Sequence, residues 1–135
     1  MKKNSKALLA LALVPLLSTN PLEAQTSRSG YDRALMCLVH HSMMVDFFSK
    51  GYGKRVAPSG EAKYADFNSS VTKVFANEGV KLGFSADRMT SDFNRSLDHY
   101  YEAARRNKFE SGDAIKEFYV AELARADACR KELGV

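Results

Sequence analysis

Apolar residues recur at helical spacing along almost the whole chain after residue 30, and no segment shows the alternation typical of a half-buried strand. The pattern predicts four helices separated by glycine, proline and short polar residues, with a loop over 51–60. Short connections favour neighbours that run in opposite directions, so the expected fold class is all-α, a small antiparallel four-helix bundle. The predicted bounds are Tyr31 to Lys50, Ser59 or Glu61 to Asn77, Ser85 to Asn107, and Ser111 or Asp113 to Leu133.

The first 24 residues have the layout of a secretory signal peptide. A basic start precedes an apolar run from Ala7 to Leu17, and the small residue Ala24 suits the position before a cut. We expect cleavage before Gln25, which leaves residues 25–135 as a single domain with a flexible start over 25–30. An uncleaved anchor is the alternative, although a membrane-spanning helix needs about 20 apolar residues. The expected location is the periplasm or the outside of the cell.

Much of the positive charge of the chain belongs to this predicted leader. The whole sequence has 20 Lys+Arg and 16 Asp+Glu, a net charge of +4; without Lys2, Lys3, Lys6 and Glu23 the counts are 17 and 15, a net charge of +2. Overall charge therefore does not indicate a nucleic-acid partner, and export argues against one. No later stretch approaches the length of about 18 apolar residues that indicates a membrane span. We expect the cleaved protein to be soluble.

The chain has two cysteines, Cys37 and Cys129. Two thiols in a small exported chain usually meet in an oxidising compartment, so the sequence predicts a disulfide that links the first helix to the last. In an antiparallel bundle the two residues also lie at the same end. The alternatives are two separate reactive thiols, or a metal site formed by Cys37 and His41 one helical turn later.

Sulfur and imidazole side chains are concentrated in the first predicted helix. His40 shares a helical face with Met36, Met43 and Met44. Thioether and imidazole groups together suit Cu(I) or a haem iron. Methionine also fills gaps in helical cores, and a single buried histidine is commonly a structural residue. Core packing and a copper or haem site therefore both remain open.

Sequence motifs of catalysis are missing from the chain, which has no nucleophile elbow, no zinc-protease motif, no phosphate loop and no dinucleotide fingerprint. We expect no enzyme and no resident cofactor. The leading hypothesis is a periplasmic binding or protein-interaction module with another periplasmic protein as its partner. Candidate partner-binding residues are Tyr52, Lys54 and Arg55 in the predicted loop and Tyr101 on the third helix. The alternatives are a copper or haem carrier that uses the first helix, and an acid- or stress-responsive chaperone.

Overall fold

The computed structural model describes residues 21–106 and 111–135, and side chains within these ranges from Arg28 onward. The described residues form five helices and no strand, so the all-α prediction is confirmed for this part of the chain. Residues 1–20, which hold most of the predicted signal peptide, lie outside it. The helices are α1 (Pro21–Ser49), α2 (Gly51–Val56), α3 (Gly60–Lys81), α4 (Ala86–Arg106) and α5 (Gly112–Leu133).

Local capping signals set the ends of the longer helices. The hydroxyls of Ser85 and Ser111 each accept a hydrogen bond, at 3.2 Å, from the backbone N–H three residues later, and these bonds cap α4 and α5. Gly134, with φ 73°, ends α5 in the left-handed conformation that glycine adopts readily. These three signals were read correctly from the sequence. The second predicted helix, in contrast, runs past Asn77 to Lys81.

The start of α1 differs from the prediction. The helix begins at Pro21 instead of Tyr31, so residues 25–30, which were predicted to be a flexible start, are helical. Side-chain contacts of this first part of the helix are described from Arg28 onward. Arg28 Nε lies 3.2 Å from the carboxylate of Asp32 one turn later, and its guanidinium carbon lies 5.3 Å from the centre of the Tyr31 ring. Such pairs support a helix whose residues are individually polar and small.

The predicted loop over 51–60 is also partly wrong, because its first six residues form the short helix α2. Gly51 has φ 57° and turns the backbone away from α1, as expected of a glycine at a helix end. The chain then turns helically again, and the Ala57 N–H donates to the Gly53 carbonyl at 3.0 Å. The glycines correctly indicated a break in the helix, but they did not show that only one residue separates α1 from α2.

The central helix is α1, which packs against each of the other four helices. It runs antiparallel to α3: Tyr31 near its start packs on Phe75 near the end of α3, with ring centres 4.9 Å apart, and Phe48 at its end stacks on Tyr64 near the start of α3, at 5.3 Å. The core is divided between two buried clusters along α1. The first is Tyr31, Ala34, Leu35, Cys37, Leu38, Val71 and Phe75, and the second is Met43, Met44, Phe48, Tyr64 and Ala126.

The close approach of α3 to the end of α1 depends on Gly60. A Cβ atom at this position would lie 2.6 Å from a ring carbon of the buried Phe48. We therefore expect Gly60→Ala to lower the free energy of unfolding by about 1–3 kcal/mol through overpacking. Gly112→Ala is the matched control, because no atom lies within 4 Å of its Cβ position, and it should stabilise by about 0.4–1 kcal/mol. Urea denaturation of both variants would contradict this packing if their midpoints moved in the same direction.

The predicted pairing of the cysteines agrees with the structure. Cys37 on α1 and Cys129 on α5 lie at disulfide distance, with their Cα atoms 5.5 Å apart. The aromatic pair Phe47 and Tyr119 stacks further along the same two helices, with ring centres 4.1 Å apart, so α1 and α5 are antiparallel. Among the described helices, none combines the length and the apolar character needed to cross a bilayer.

Candidate functional site

The carboxylate of Glu122 is fully buried on the inner face of α5. Three donors from three helices reach it: His40 of α1 through Nδ1 at 2.8 Å, Tyr100 of α4 through its hydroxyl, and Arg125 of α5 through its guanidinium. A buried carboxylate is tolerated when it is paired and hydrogen-bonded in this way. The network connects α4 and α5 to the central helix.

Burial, hydrogen bonds and neighbouring charges shift the pKa values of the groups in this network. Burial alone would raise the pKa of Glu122, but the hydrogen bonds from His40, Tyr100 and Arg125 outweigh burial and hold the pKa below its ordinary value of 4.5. Burial and the bond to Glu122 raise the pKa of Tyr100, and the same carboxylate raises the pKa of Arg125. A general acid that works near neutral pH needs a raised pKa, so the lowered pKa of Glu122 does not suit that role.

Next to this network, His41 is completely buried between α1 and α5. Its Nε2 donates to the backbone carbonyl of Ala126 at 2.9 Å, while Nδ1 is buried without a hydrogen-bond partner. Burial lowers the pKa of His41, and the bond to Ala126 opposes this only in part. The ring is therefore neutral, with a free lone pair on Nδ1. One ring nitrogen and the Sγ atoms of Cys37 and Cys129 all lie within 4.8 Å of one another.

The four residues predicted as a copper or haem site are divided between two regions. Met36 is 40% exposed and lines a shallow groove between α1 and α5 together with His40. Met43 and Met44 are buried in the second core cluster. The Nδ1 atom of His40 is occupied by Glu122. The described residues thus give core packing as the role of Met43 and Met44, and the groove holds one thioether and one imidazole.

An open apolar groove lies where α1 ends, between α2 and α5. Its volume is about 690 Å³. Aromatic rings from α1 and α5 form its floor, and exposed apolar side chains of α2 and α5 form its rim. The charged residues that line it are Asp113 and Lys116, and the apolar ones are Met44, Phe47, Phe48, Tyr52, Val56, Ile115, Tyr119, Val120 and Leu123.

The predicted partner-binding residues have different positions relative to this groove. Tyr52 lines it and is 56% exposed. Lys54 and Arg55 are exposed on the same short helix. Tyr101 was predicted to be an aromatic residue that the core could not absorb, but it is half-buried against the second core cluster. Burial and the neighbouring Asp46 raise its pKa to about 12. Tyr101 does not line the groove.

Sequence reasoning missed Glu122 and the α5 side of the groove. Glu122 lies four residues after Phe118 and four before Ala126, so it stands within the apolar stripe of α5, where a charged residue signals a buried polar contact. Elsewhere on α5, Ile115 and Val120 are 42% and 58% exposed. No local pattern could have identified this face as one wall of a groove, because the other wall comes from α2.

Comparisons with models of known protein families, with curated proteins and with solved structures found no match to this chain.

Proposed function

We propose that the mature part of this protein is an exported, non-enzymatic interaction module whose apolar groove binds an amphipathic segment of another exported protein. In this proposal a signal peptide directs export and is removed, and the four longer helices form an antiparallel bundle. The short helix α2 and the first half of α5 then present the binding surface. The disulfide suits an oxidising compartment and so supports export indirectly.

The observation that carries the proposal is the set of apolar side chains left in solvent around one groove. Tyr52, Val56, Ile115 and Val120 are all exposed and all line it, although much of the remaining surface is polar or charged. Small soluble proteins rarely keep a contiguous apolar patch of this kind unless it binds something. The aromatic floor offers the well-packed pockets in which the strongest contacts of protein interfaces occur.

Charge around the groove indicates the character of the partner. Lys54 and Arg55 are exposed on α2, and Lys116 lines the groove on α5, against the single acidic lining residue Asp113. The lining is therefore apolar with one cation and one anion, and two further cations are exposed on α2. A complementary segment has apolar residues on one face and acidic residues beside them.

A copper or haem carrier based on Met36, His40, Met43 and Met44 has less support. His40 already donates to Glu122, and two of the three thioethers belong to the core. Ligation by the whole set would have to displace the core side chains of Met43 and Met44, whereas the bond from His40 to Glu122 uses only Nδ1. We therefore do not propose this carrier function.

Site-specific photo-crosslinking tests the proposed groove. A benzophenone amino acid at Val120, in the organism that produces the protein, is expected to crosslink to an exported protein. Mass spectrometry of the crosslinked peptide should identify a segment with apolar and acidic residues. Ile115→Glu should reduce the crosslink yield about tenfold or more, because loss of a central apolar contact costs about 2 kcal/mol in a typical hot spot.

The matched control places the same photo-reactive group at Thr72, which is exposed on α3 and does not line the groove. The proposal predicts no crosslink to that partner from this position. Equal yields from both positions would contradict it. So would a partner segment that lacks apolar residues, or a yield that Ile115→Glu leaves unchanged.

A further inference from the structure

We infer that the reduced form of the protein binds one Cu(I) ion between Cys37, Cys129 and His41. The disulfide then acts as a redox lock, because the oxidised protein has no thiolate to offer. This site uses different residues from the predicted histidine and methionine set and does not depend on the proposed groove.

The geometry brings three ligand atoms together before any metal is present. A His41 ring nitrogen and the Sγ atoms of Cys37 and Cys129 lie within 4.8 Å of one another. His41 and Cys37 are separated by one turn of α1, and Cys129 faces them from α5. Both residues of α1 are fully buried, so a metal ion at this position would be shielded from water. The partnerless Nδ1 of His41 supplies a lone pair that no protein donor uses.

The number and the type of ligands favour Cu(I). Thiolates are soft ligands that select Cu(I) or zinc, and imidazole suits either metal. Structural zinc sites use four protein ligands. In the described part of the chain this cluster contains three. Two thiolates and one imidazole around Cu(I) carry a net charge of −1. Arg130 follows Cys129 in the chain and can offset part of this charge; its guanidinium lies 3.8 Å from the carboxylate of Asp127, and its Nε is buried without a hydrogen-bond partner.

The redox step requires a reductant, and we assign this role to a dithiol. Its two thiols become a disulfide and supply two electrons and two protons, while the bond between Cys37 and Cys129 breaks to give two thiols. Cu(I) then forms two copper–sulfur bonds and displaces the two thiol protons, which leave to solvent. His41 binds copper through the lone pair of Nδ1, while Nε2 keeps its proton on the carbonyl of Ala126.

A path from solvent to the cysteines is present. Cys37 and Cys129 line the shallow groove between α1 and α5, which has a volume of about 390 Å³, and Cys129 is the less buried of the two. Thiol–disulfide exchange needs one accessible sulfur for attack. We therefore expect a dithiol to attack Cys129 before Cys37.

The test is a Cu(I) titration of the full chain without its leader, reduced with a phosphine under anaerobic conditions and then freed of reductant. Bicinchoninate serves as the competing chromophore. We expect one Cu(I) per reduced chain and none per oxidised chain. X-ray absorption of the copper complex should give two sulfur neighbours and one nitrogen neighbour. Because even outer-shell changes cost 10–100-fold in metal affinity, His41→Gln should weaken binding by about tenfold or more.

Control variants separate this site from other sulfur and imidazole groups. Met36→Leu and His99→Gln remove an exposed thioether and an exposed imidazole, and both should leave the Cu(I) affinity unchanged. Binding that survives in Cys37→Ala, preferential binding of Zn²⁺, or a copper centre without nitrogen would each overturn the inference. Circular dichroism shows whether the reduced wild-type chain keeps its helical signal. If that signal is lost on reduction, Cu(I) should restore it, and a failure to restore it would also overturn the inference.

Discussion

Replacement of both Cys37 and Cys129 by alanine is expected to lower the free energy of unfolding by up to about 4–5 kcal/mol under oxidising conditions. The two residues are 92 positions apart, so the disulfide closes a loop that contains most of the helical domain. A closed loop of this length strongly restricts the unfolded chain, and its removal restores that freedom. A small domain has a total stability of about 5–15 kcal/mol, so the loss is a large share. Urea denaturation, followed by circular dichroism, measures it.

Comparison of two samples separates loop closure from packing. The wild-type protein in reductant loses the crosslink but keeps both sulfur atoms, whereas the double variant loses both. Cys37 is fully buried, and its truncation to alanine therefore adds a small cavity cost. We expect the reduced wild type to lose most of this free energy of unfolding and the double variant to lose slightly more. A double variant as stable as the oxidised wild type would show that the disulfide does not stabilise the fold.

The helix ends predicted correctly from the sequence are those that local chemistry determines. Ser85 and Ser111 cap helices because their hydroxyls satisfy backbone donors three residues away. The disulfide between Cys37 and Cys129 was predicted because export was expected and because both residues lie at the same end of an antiparallel bundle. The start of α1 and the short helix α2 were missed. Both contain polar residues and glycine, which have low helix propensity, so the sequence pattern did not indicate a helix at either place.

The candidate site was less predictable because it forms where separate helices meet. Tyr52 was correctly recognised as an exposed aromatic residue, yet nothing in the sequence near it indicated Ile115 or Val120 as neighbours. Tyr101 has a similar local pattern but is half-buried against the second core cluster. Periodicity identifies the inner face of each helix, but only the tertiary arrangement decides which outer faces combine into a groove.

The buried Glu122 network shows a second limit of sequence patterns and gives the other large effect. The charge of Glu122 is held by donors on three helices, so the cost of its burial is offset only while all the partners are in place. Removal of the carboxylate leaves buried donors without an acceptor, and each such unsatisfied group costs about 1–3 kcal/mol. We expect this loss for Glu122→Ala, measured by urea denaturation at pH 7. Tyr100 and His40 would then lack their common acceptor.

Acid denaturation tests the same network through its pKa. The hydrogen bonds hold the folded-state pKa of Glu122 below 4.5, so the unfolded chain takes up the proton first as the pH falls below 4.5. The stability that Glu122 contributes is therefore present above pH 4.5 and is lost as the pH falls through the folded-state pKa, at a rate of up to about 1.4 kcal/mol per pH unit. Glu122→Gln should lack this part of the acid profile. Glu117→Gln, exposed on the same helix, should change stability by no more than about 0.5 kcal/mol. If Glu122→Gln and the wild type lost stability in parallel below pH 4.5, the buried carboxylate would not be the charged, hydrogen-bonded group that joins these helices.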